Sequence, residues 1–476
     1  MKNKTSKWDR PVLILYIVLY LIISLSMIFN QPFGNPPDEA NRDKISLYIA
    51  HHHALPNGYD EEIRIPGYGF SYGFQPILPY MIQGGVMIIA SNFVEGDRPL
   101  LYAARLTDCV FGLIMALFVW KLSKKWFKRP AMQYLFSYTV MFLPQSLYLH
   151  TYLNTESCAM LSTAIILYAI TCCLEDDFSY KSCGLLSVGV ILCALSYYNA
   201  YGFVLGAMML FVAWCIRVSV GGKASFDGKS FVKKGGFICI IVLAGIAWWF
   251  IRSAILYDGD FLGLRARALC GEMYKDPSLL TLMVPPYKEQ GYSLFTMFFK
   301  SDFWLLTVNS SICSFGAMDI LTNIWVYRFF KALFFGGLIL FIFVPQKAVK
   351  EHCTGYRLSE RPTLGFFYHV VLIMCAVIPI ALSVMYSYQT DYQPQGRYIL
   401  PALLPVCYYV VRGVEKGVGV LSEIFAKLSK KNDAPALYGH LITWVCVAAM
   451  IIIAVSLIVT TYWYAFPRWE RIADLI

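Results

Sequence analysis

Apolar stretches long enough to cross a bilayer recur along the chain, separated by short polar loops. Residues 11–29, 100–120, 131–150, 157–174, 184–200, 202–216, 236–251, 322–344, 364–387, 398–411 and 438–463 each read this way, which predicts eleven membrane helices. A helix needs roughly 20 apolar residues to span the hydrocarbon core. Residues 76–94, PILPYMIQGGVMIIASNFV, are also apolar enough, but carry two early prolines and a Gly-Gly pair, and both features interrupt helices. Loop charge decides this segment. If it stays on the outer side, the basic loops Lys121–Arg129, Arg217–Lys234, Lys347–Arg361 and Arg412–Lys431 all share the side of the basic N-terminus, as the cytoplasmic excess of Lys and Arg requires. A full crossing would send each of them to the opposite side. Residues 76–94 are therefore expected to be re-entrant or surface-lying, with the N-terminus cytoplasmic and the C-terminus outside. The N-terminal MKNKTSKWDR has the charge order of a signal sequence, but the segment after it is span-length and lacks a small-residue cleavage site. It reads as a retained first span.

Under this topology the chain is one transmembrane domain over 1–476 whose outer face collects the long loops: 30–99, 252–321 and the shorter 388–397. The loop 252–321 mixes prolines with aromatic stretches such as LLTLMVPPY and LFTMFFKSDFW, and is expected to form surface helices capping a cavity. The first loop is the most polar. Its stretch NPPDEANRDKISLYIAHHHALPNGYDEEIRIPGYGFSYGFQ places Pro36-Pro37 before a new helix and Asp38-Glu39 at its start. Two carboxylates then sit at a helix N-terminus. Ile45, Leu47, Tyr48, Ile49 and Leu55 give this helix an apolar face, so it is expected to lie along the bilayer surface. An Asp in this position is most often a simple N-cap. Capping accounts for one acid and leaves a forty-residue polar insertion unexplained.

Composition narrows the class. With 58% hydrophobic and 15% charged residues and a mean hydropathy of +0.55, the chain is an all-α polytopic membrane protein and not a soluble globule. The net charge of +10 falls in short loops between spans, so nucleic acid is excluded as a partner and the lipid bilayer takes its place. The 14 cysteines lie mostly in apolar segments without metal-type spacing; only Cys270 and Cys313 are candidates for an oxidised pair. His51-His52-His53 point in different directions on a helix and make a poor metal site. No glycine-rich phosphate loop is present, which disfavours a nucleotide donor.

Four charged groups at membrane edges all map to the outer side: Arg105, Glu156, Arg252 and Arg397. Each alone reads as a side chain snorkelling to the headgroups. A charge near hydrocarbon costs roughly 2.5–3.5 kcal/mol even on the mild insertion scale, so their gathering with Asp38 and Glu39 on one face points to a shared cavity for an anionic ligand. Group transfer from a phosphate-bearing ligand needs a base for the attacking hydroxyl and cations for the departing phosphate. Asp38 fits the first role; Arg397, Arg252 and Arg105 fit the second, because guanidinium forks match phosphate oxygens. Tyr68, Phe70, Tyr72, Phe74 and Tyr392 are aromatic positions that could stack on the flat face of a ligand such as a sugar ring, although aromatic belts are ordinary at membrane interfaces.

The order of PPDEANRDKISLYIAHHHALP, YGFSYGFQPILPYMI, RLTDCVFGL, NTES, WWFIRSAILYDGDFLG, FGAMD and QGRYILPALLP resembles that of bacterial GT-C-type integral membrane glycosyltransferases, over most of the chain. The resemblance implies a GT-C-like bundle in the bacterial plasma membrane, a polyprenyl-phosphate-linked sugar donor and an envelope acceptor (glycan, teichoic acid, lipid or protein). It makes the first-loop acid catalytic, hence Asp38 with Glu39 beside it. A second acid belongs to an Asn-x-Asp motif, here Asn154-Thr155-Glu156, and the longer Glu156 leaves open whether a divalent metal ion is used. Asn154, Tyr72, Tyr392 and Gln395 are the candidate substrate-binding positions. A lipid-linked glycan polymerase or ligase is the main alternative. A flippase or transporter is a weaker one, since it would favour internal repeats and polar residues in mid-span.

Overall fold

The computed structural model describes residues 6–218, 224–279, 285–345, 362–428 and 434–474. The basic loop Lys347–Arg361 lies outside them, as do parts of the loops Arg217–Lys234 and Arg412–Lys431. The helices in chain order are α1 (Asp9–Asn30), α2 (Glu39–His52), α3 (Leu78–Ala90), α4 (Asp97–Trp126), α5 (Pro130–Phe142), α6 (Pro144–Tyr148), α7 (Glu156–Glu175), α8 (Tyr180–Ala194), α9 (Tyr201–Cys215), α10 (Gly228–Ser230), α11 (Gly236–Leu256), α12 (Leu264–Tyr274), α13 (Leu294–Lys300), α14 (Phe303–Ile312), α15 (Ile324–Phe343), α16 (Pro362–Gln389), α17 (Leu403–Leu428), α18 (Ala434–Val459) and α19 (Phe466–Ala473). One small hairpin, β1 (Ile216–Val218) with β2 (Ala224–Phe226), is antiparallel.

Among the described residues, eight helical stretches are long and apolar enough to cross a membrane: Asp9–Asn30, Asp97–Trp126, Glu156–Glu175, Tyr198–Cys215, Gly228–Leu256, Ile324–Phe343, Thr363–Gln389 and Ala436–Ala473. The protein is an all-α polytopic membrane protein. The other three expected spans differ. Residues 131–150 are broken at Leu143 into α5 and α6, because Pro144 removes a backbone donor. Residues 184–200 fall on the short α8 and the turn after it. Residues 398–411 begin as a 3-10 helix, Gly396–Ala402, and run on into α17. Segment 76–94 forms the 13-residue α3, about 20 Å long at 1.5 Å per residue and so too short to span.

The core is one large apolar cluster around α7, which is buried on nearly all sides. A helix with no polar face belongs in the middle of a bundle. Helices α15 and α17 approach most closely at glycines: a Cβ on Gly413 would lie 1.7 Å from the Gly337 carbonyl oxygen. Small residues permit such backbone contact.

The expected surface position of α2 is corrected. Ile45 and Ile49 are buried as anticipated, but so are Glu39, Arg42 and Asp43. The helix lies under α3, where Gly84 leaves room for Ile49 and the Ser46 carbonyl, and under the N-terminus of α7. The expected helices of the 252–321 loop are present as α12, α13 and α14, and α12 is knitted to the first loop. Gly58 N donates to Tyr257 Oη (3.0 Å), Cys270 Sγ to Gly69 O (3.3 Å) and Asp276 N to Gly67 O (3.0 Å). Gly69, at φ +75°, has the Tyr274 carbonyl carbon 2.5 Å from where a Cβ would stand, so only glycine fits there. Cys270 and Cys313 are buried in separate clusters and both are free thiols; the suggested pairing does not form.

A methyl group at the α15–α17 crossing should be costly. Gly413→Ala is expected to lower the melting temperature of the detergent-solubilised protein, by at least the about 1–3 kcal/mol usual for overpacking. Gly336→Ala, whose Cβ meets nothing within 4 Å, should leave it unchanged, and equal melting of the two variants would refute the close packing.

Candidate active site

The site begins where Pro36-Pro37 turns the chain into α2. Asp38 occupies the N-cap position with φ +63°, left-handed, yet its side chain makes no capping hydrogen bond. Its carboxylate faces inward instead. Asp38 Oδ2 accepts from Arg397 Nη2 at 2.6 Å and lies 3.9 Å from Arg42 Nη2. A left-handed non-glycine residue is held there by its surroundings, here by these cations.

Arg42, one turn into α2, forks onto Glu156 at the start of α7, with Nη2 3.0 Å from Oε1 and Nη1 contacting Oε2; Nη1 also donates to Thr155 Oγ1 at 3.0 Å. The Tyr72 ring lies 5.2 Å from the Arg42 guanidinium. Arg397, in the 3-10 turn before α17, donates from Nε to Gln395 Oε1 (2.8 Å) and from Nη2 to Tyr398 Oη (3.0 Å). Four charges thus alternate in sign: Glu156, Arg42, Asp38, Arg397. Glu156, Arg42 and Arg397 are almost fully enclosed, while the Asp38 side chain keeps 29% exposure.

That exposure opens into a cavity of about 310 Å³. Asp38, Asn41, Arg42, Tyr68, Phe70 and Tyr72 come to it from the first loop and α2; Tyr197, Tyr198 and Asn199 from the α8–α9 link; Arg267 from α12; Tyr386 from α16; Asp391, Gln393 and Tyr398 from the turn beyond it. A second chamber of about 320 Å³ adjoins it, sharing Tyr68, Phe70, Leu264, Arg267, Tyr386 and Asp391 and adding Glu272 and Lys275. Burial pushes the Asp38 carboxyl up, but Arg397 and Arg42 together outweigh it and hold the group below the ordinary carboxylate range. Asp391 is pushed up, first by burial and then by the charge of Asp38, against a partial offset from the Gln393 hydrogen bond.

The other expected site residues lie elsewhere. Arg105 and Glu39 pair with each other, Nε to Oε1 at 2.8 Å and Nη2 to Oε2 at 2.6 Å, with no exposed surface. Arg105 Nη1 also donates to Ile28 O and Gln31 O, and Glu39 Oε1 accepts from Leu153 N. This pair ties the end of α1 to α2 and α4. Arg252 Nη2 donates to Pro56 O at 2.9 Å and Leu55 O at 3.3 Å, and so holds the first loop from below. Asn154 spends its amide on Leu149 O, Tyr152 O and Ser157 N. Tyr392 packs on Tyr287 and Phe303 in a satellite cluster. Gln395 reaches the site only by bracing Arg397. Reading the sequence missed Arg42, Arg267, Asp391, Gln393 and Tyr398. A signal for Arg42 existed, since it stands four residues after Asp38 and so shares its helix face.

No family model matches the sequence, and no curated protein matches it. Solved structures do. The Archaeoglobus fulgidus oligosaccharyltransferase tethered to an acceptor peptide with the NVT sequon aligns at a TM-score of 0.53 and 14% identity, over 96% of this chain and 55% of that one. The same organism's AglB, in complex with an inhibitory peptide and a dolichol-phosphate, gives 0.51 and 14%, over 97% and 56%. Its complex with Zn and sulfate gives 0.51 and 16%, over 95% and 53%. The fold is of the GT-C type. The chain spans little more than half the length of these neighbours.

A divalent metal fits this site poorly. Among the described residues no three His, Cys, Asp or Glu side chains converge as a metal would need. Asp38 and Glu156 already face guanidinium groups, His51 lies 3.2 Å from Asp97, and His52 lies 3.0 Å from Glu62. The chemistry of the site is derived below from side chains alone.

The buried Arg105–Glu39 pair should matter through stability. Arg105→Met strands an unpaired carboxylate and is expected to cost about 3–5 kcal/mol, whereas Arg105→Met combined with Glu39→Met removes both charges and should recover most of that loss. Thermal unfolding in detergent checks this, and a double variant no more stable than the single one would count against it.

Proposed function

We propose that the chain is a membrane glycosyltransferase that moves a sugar from a polyprenyl-phosphate-linked donor to an envelope acceptor on the outer face of the membrane. The observation that carries this reading is the pair of enclosed guanidinium groups, Arg42 and Arg397, on either side of Asp38, whose carboxylate opens into a cavity walled by aromatic rings. The GT-C fold supports it, as does the dolichol-phosphate held by one of the neighbouring structures.

In the transfer step the bond between the anomeric carbon and the phosphate oxygen breaks, and charge builds on the phosphate. Fixed guanidinium groups in an enclosed site stabilise such charge without having to reorganise. Arg397 and Arg42 are already oriented by Gln395, Tyr398, Thr155 and Glu156. An arriving phosphate exchanges with Asp38 for Arg397, so the resting ion pair keeps the site formed while it is empty. Tyr72, Tyr68 and Phe70 wall the space left for the sugar. Arg105, Arg252, Glu39 and Asn154 act on the scaffold and do not touch the donor. A polymerase or ligase of lipid-linked glycans would use the same phosphate site and differ only in its acceptor.

Binding of undecaprenyl phosphate to the purified protein tests the phosphate site, and incubation with radiolabelled polyprenyl-phosphate sugars and an envelope extract tests the transfer. Arg397→Lys keeps the charge and loses the fork. It is expected to bind undecaprenyl phosphate about 10- to 100-fold more weakly, the worth of one charge-assisted hydrogen bond of about 1.5–3 kcal/mol. Unchanged binding in Arg397→Ala would remove this residue from the phosphate site.

A further inference from the structure

Resting on that reading, we propose that Asp391, and not Asp38, takes the proton from the acceptor hydroxyl, and that the second chamber seats a hydroxyl-bearing sugar acceptor beside it. Asp391 lines both chambers, whereas Asp38 lines only the inner one. Its position is thus at the neck, where an acceptor in the outer chamber would meet a donor in the inner one.

The two carboxylates also keep different company. Asp38 faces two arginines: its Oδ2 accepts from Arg397 Nη2 at 2.6 Å and lies 3.9 Å from Arg42 Nη2. Asp391 forms no ion pair among the described residues; its Oδ2 accepts a single hydrogen bond, from the neutral Gln393 Nε2 at 2.5 Å. The groups facing it are Asp38, Tyr68, Tyr386, Gln393 and, on the wall of both chambers, Arg267. Acids whose surroundings drive them apart in this way divide their labour. The burial-raised Asp391 is the better base, and the cation-paired Asp38 is the better fixed charge.

A chain of hydrogen bonds fixes the base relative to the phosphate site. Arg397 Nη2 donates to Tyr398 Oη (3.0 Å), Tyr398 Oη to Gln393 Oε1 (2.5 Å), and Gln393 Nε2 to Asp391 Oδ2. The acceptor O–H gives its proton to Asp391, and the oxygen bonds to the anomeric carbon. The carbon–oxygen bond to phosphate breaks, and its electron pair leaves on the phosphate beside Arg397 and Arg42. The products are the glycosylated acceptor and free polyprenyl phosphate, and Asp391 then returns its proton to water. The outer chamber suits a sugar acceptor because its wall combines aromatic rings, Tyr68, Phe70 and Tyr386, for the C–H side of a sugar with Glu272, Lys275 and Asp391 for its hydroxyls.

The test uses the full-length purified chain, undecaprenyl phosphate as the binding probe, and radiolabelled polyprenyl-phosphate sugars with envelope extract for turnover. Asp391→Asn should bind undecaprenyl phosphate as the wild type does and lose about 10²–10⁴-fold in turnover, the usual worth of general base catalysis. In the wild type the base works ionised, so turnover is present above the raised pKa of Asp391 and lost as pH falls through it; Asp391→Glu should move that acid limb. Added formate should restore part of the activity of Asp391→Ala, which a merely structural role would not allow. Near-normal turnover in Asp391→Asn, or an acid limb unmoved in Asp391→Glu, overturns the proposal. Failure of the wild type to bind undecaprenyl phosphate instead overturns the glycosyl-transfer reading beneath it.

Discussion

Glu156, Arg42, Asp38 and Arg397 form a line of alternating charges of which all but Asp38 are nearly shut off from water, and much of the structure follows from keeping it neutral. Taking one ion into a poorly polarisable interior costs several kcal/mol, recovered only when geometry and hydrogen bonds are good. Each member of the line comes from a different piece of chain: Asp38 from the turn before α2, Arg42 from α2 itself, Glu156 from the head of α7, Arg397 from the turn into α17. Losing any one would strand its neighbour. The ends of α2, α7 and α17 are therefore held together by charge, at a place where apolar packing alone would leave a gap.

The same constraint explains the pose of α2. A helix carrying Glu39, Arg42 and Asp43 close together would rest on the bilayer surface if those groups had only water as a partner. Arg105 gives Glu39 and Glu156 gives Arg42 a better partner inside, and Arg397 holds Asp38 at the head of the helix; Asp43 is buried without an ion pair among the described residues. The helix is drawn under α3, and its histidines are left outside. Glu39 and Asp38 are adjacent in sequence but serve different ends, because Asp38 stands in a left-handed turn before the helix while Glu39 is its first helical residue. Glu39 turns toward α4 and closes the scaffold. Asp38 turns toward the cavity.

Above this line the two long loops close the cavity by backbone contact more than by side chains. Gly69 and Gly263 let the first loop and α12 approach to within van der Waals distance, and Arg64 stacks on Tyr274 at 3.7 Å. The roof is therefore built from two loops distant in sequence, and Arg267, carried on α12, reaches the chamber through it. The space they cover is walled by aromatic rings and carries both acidic and basic side chains, Asp38, Asp391, Arg42 and Arg267. Its division into two chambers that meet at Asp391 suits a reaction between two substrates.

The sequence by itself determined the class and the general location of the site. Apolar runs of membrane length fix an all-α bundle because the bilayer leaves a backbone no other way to satisfy its hydrogen bonds, and eight of the expected spans are membrane-length helices. A polar, acid-bearing loop after the first span marked where charge would gather, and Asp38, Tyr72 and Arg397 do gather there. What hydropathy could not convey was partner choice. Arg105 and Arg397 look alike in sequence, both being arginines at a span edge, yet one is consumed by Glu39 and three backbone carbonyls while the other pairs with Asp38, which lines the cavity. Asp391 was invisible because a charge in a turn reads as solvated until a second, remote segment covers it, and Arg42, although its spacing from Asp38 was readable, gave no sign of its remote partner Glu156. Only the tertiary structure decided these points, because the energy of a buried charge depends on which opposite charge the fold brings within about 4 Å of it, and that distance is set by helices far apart in the chain.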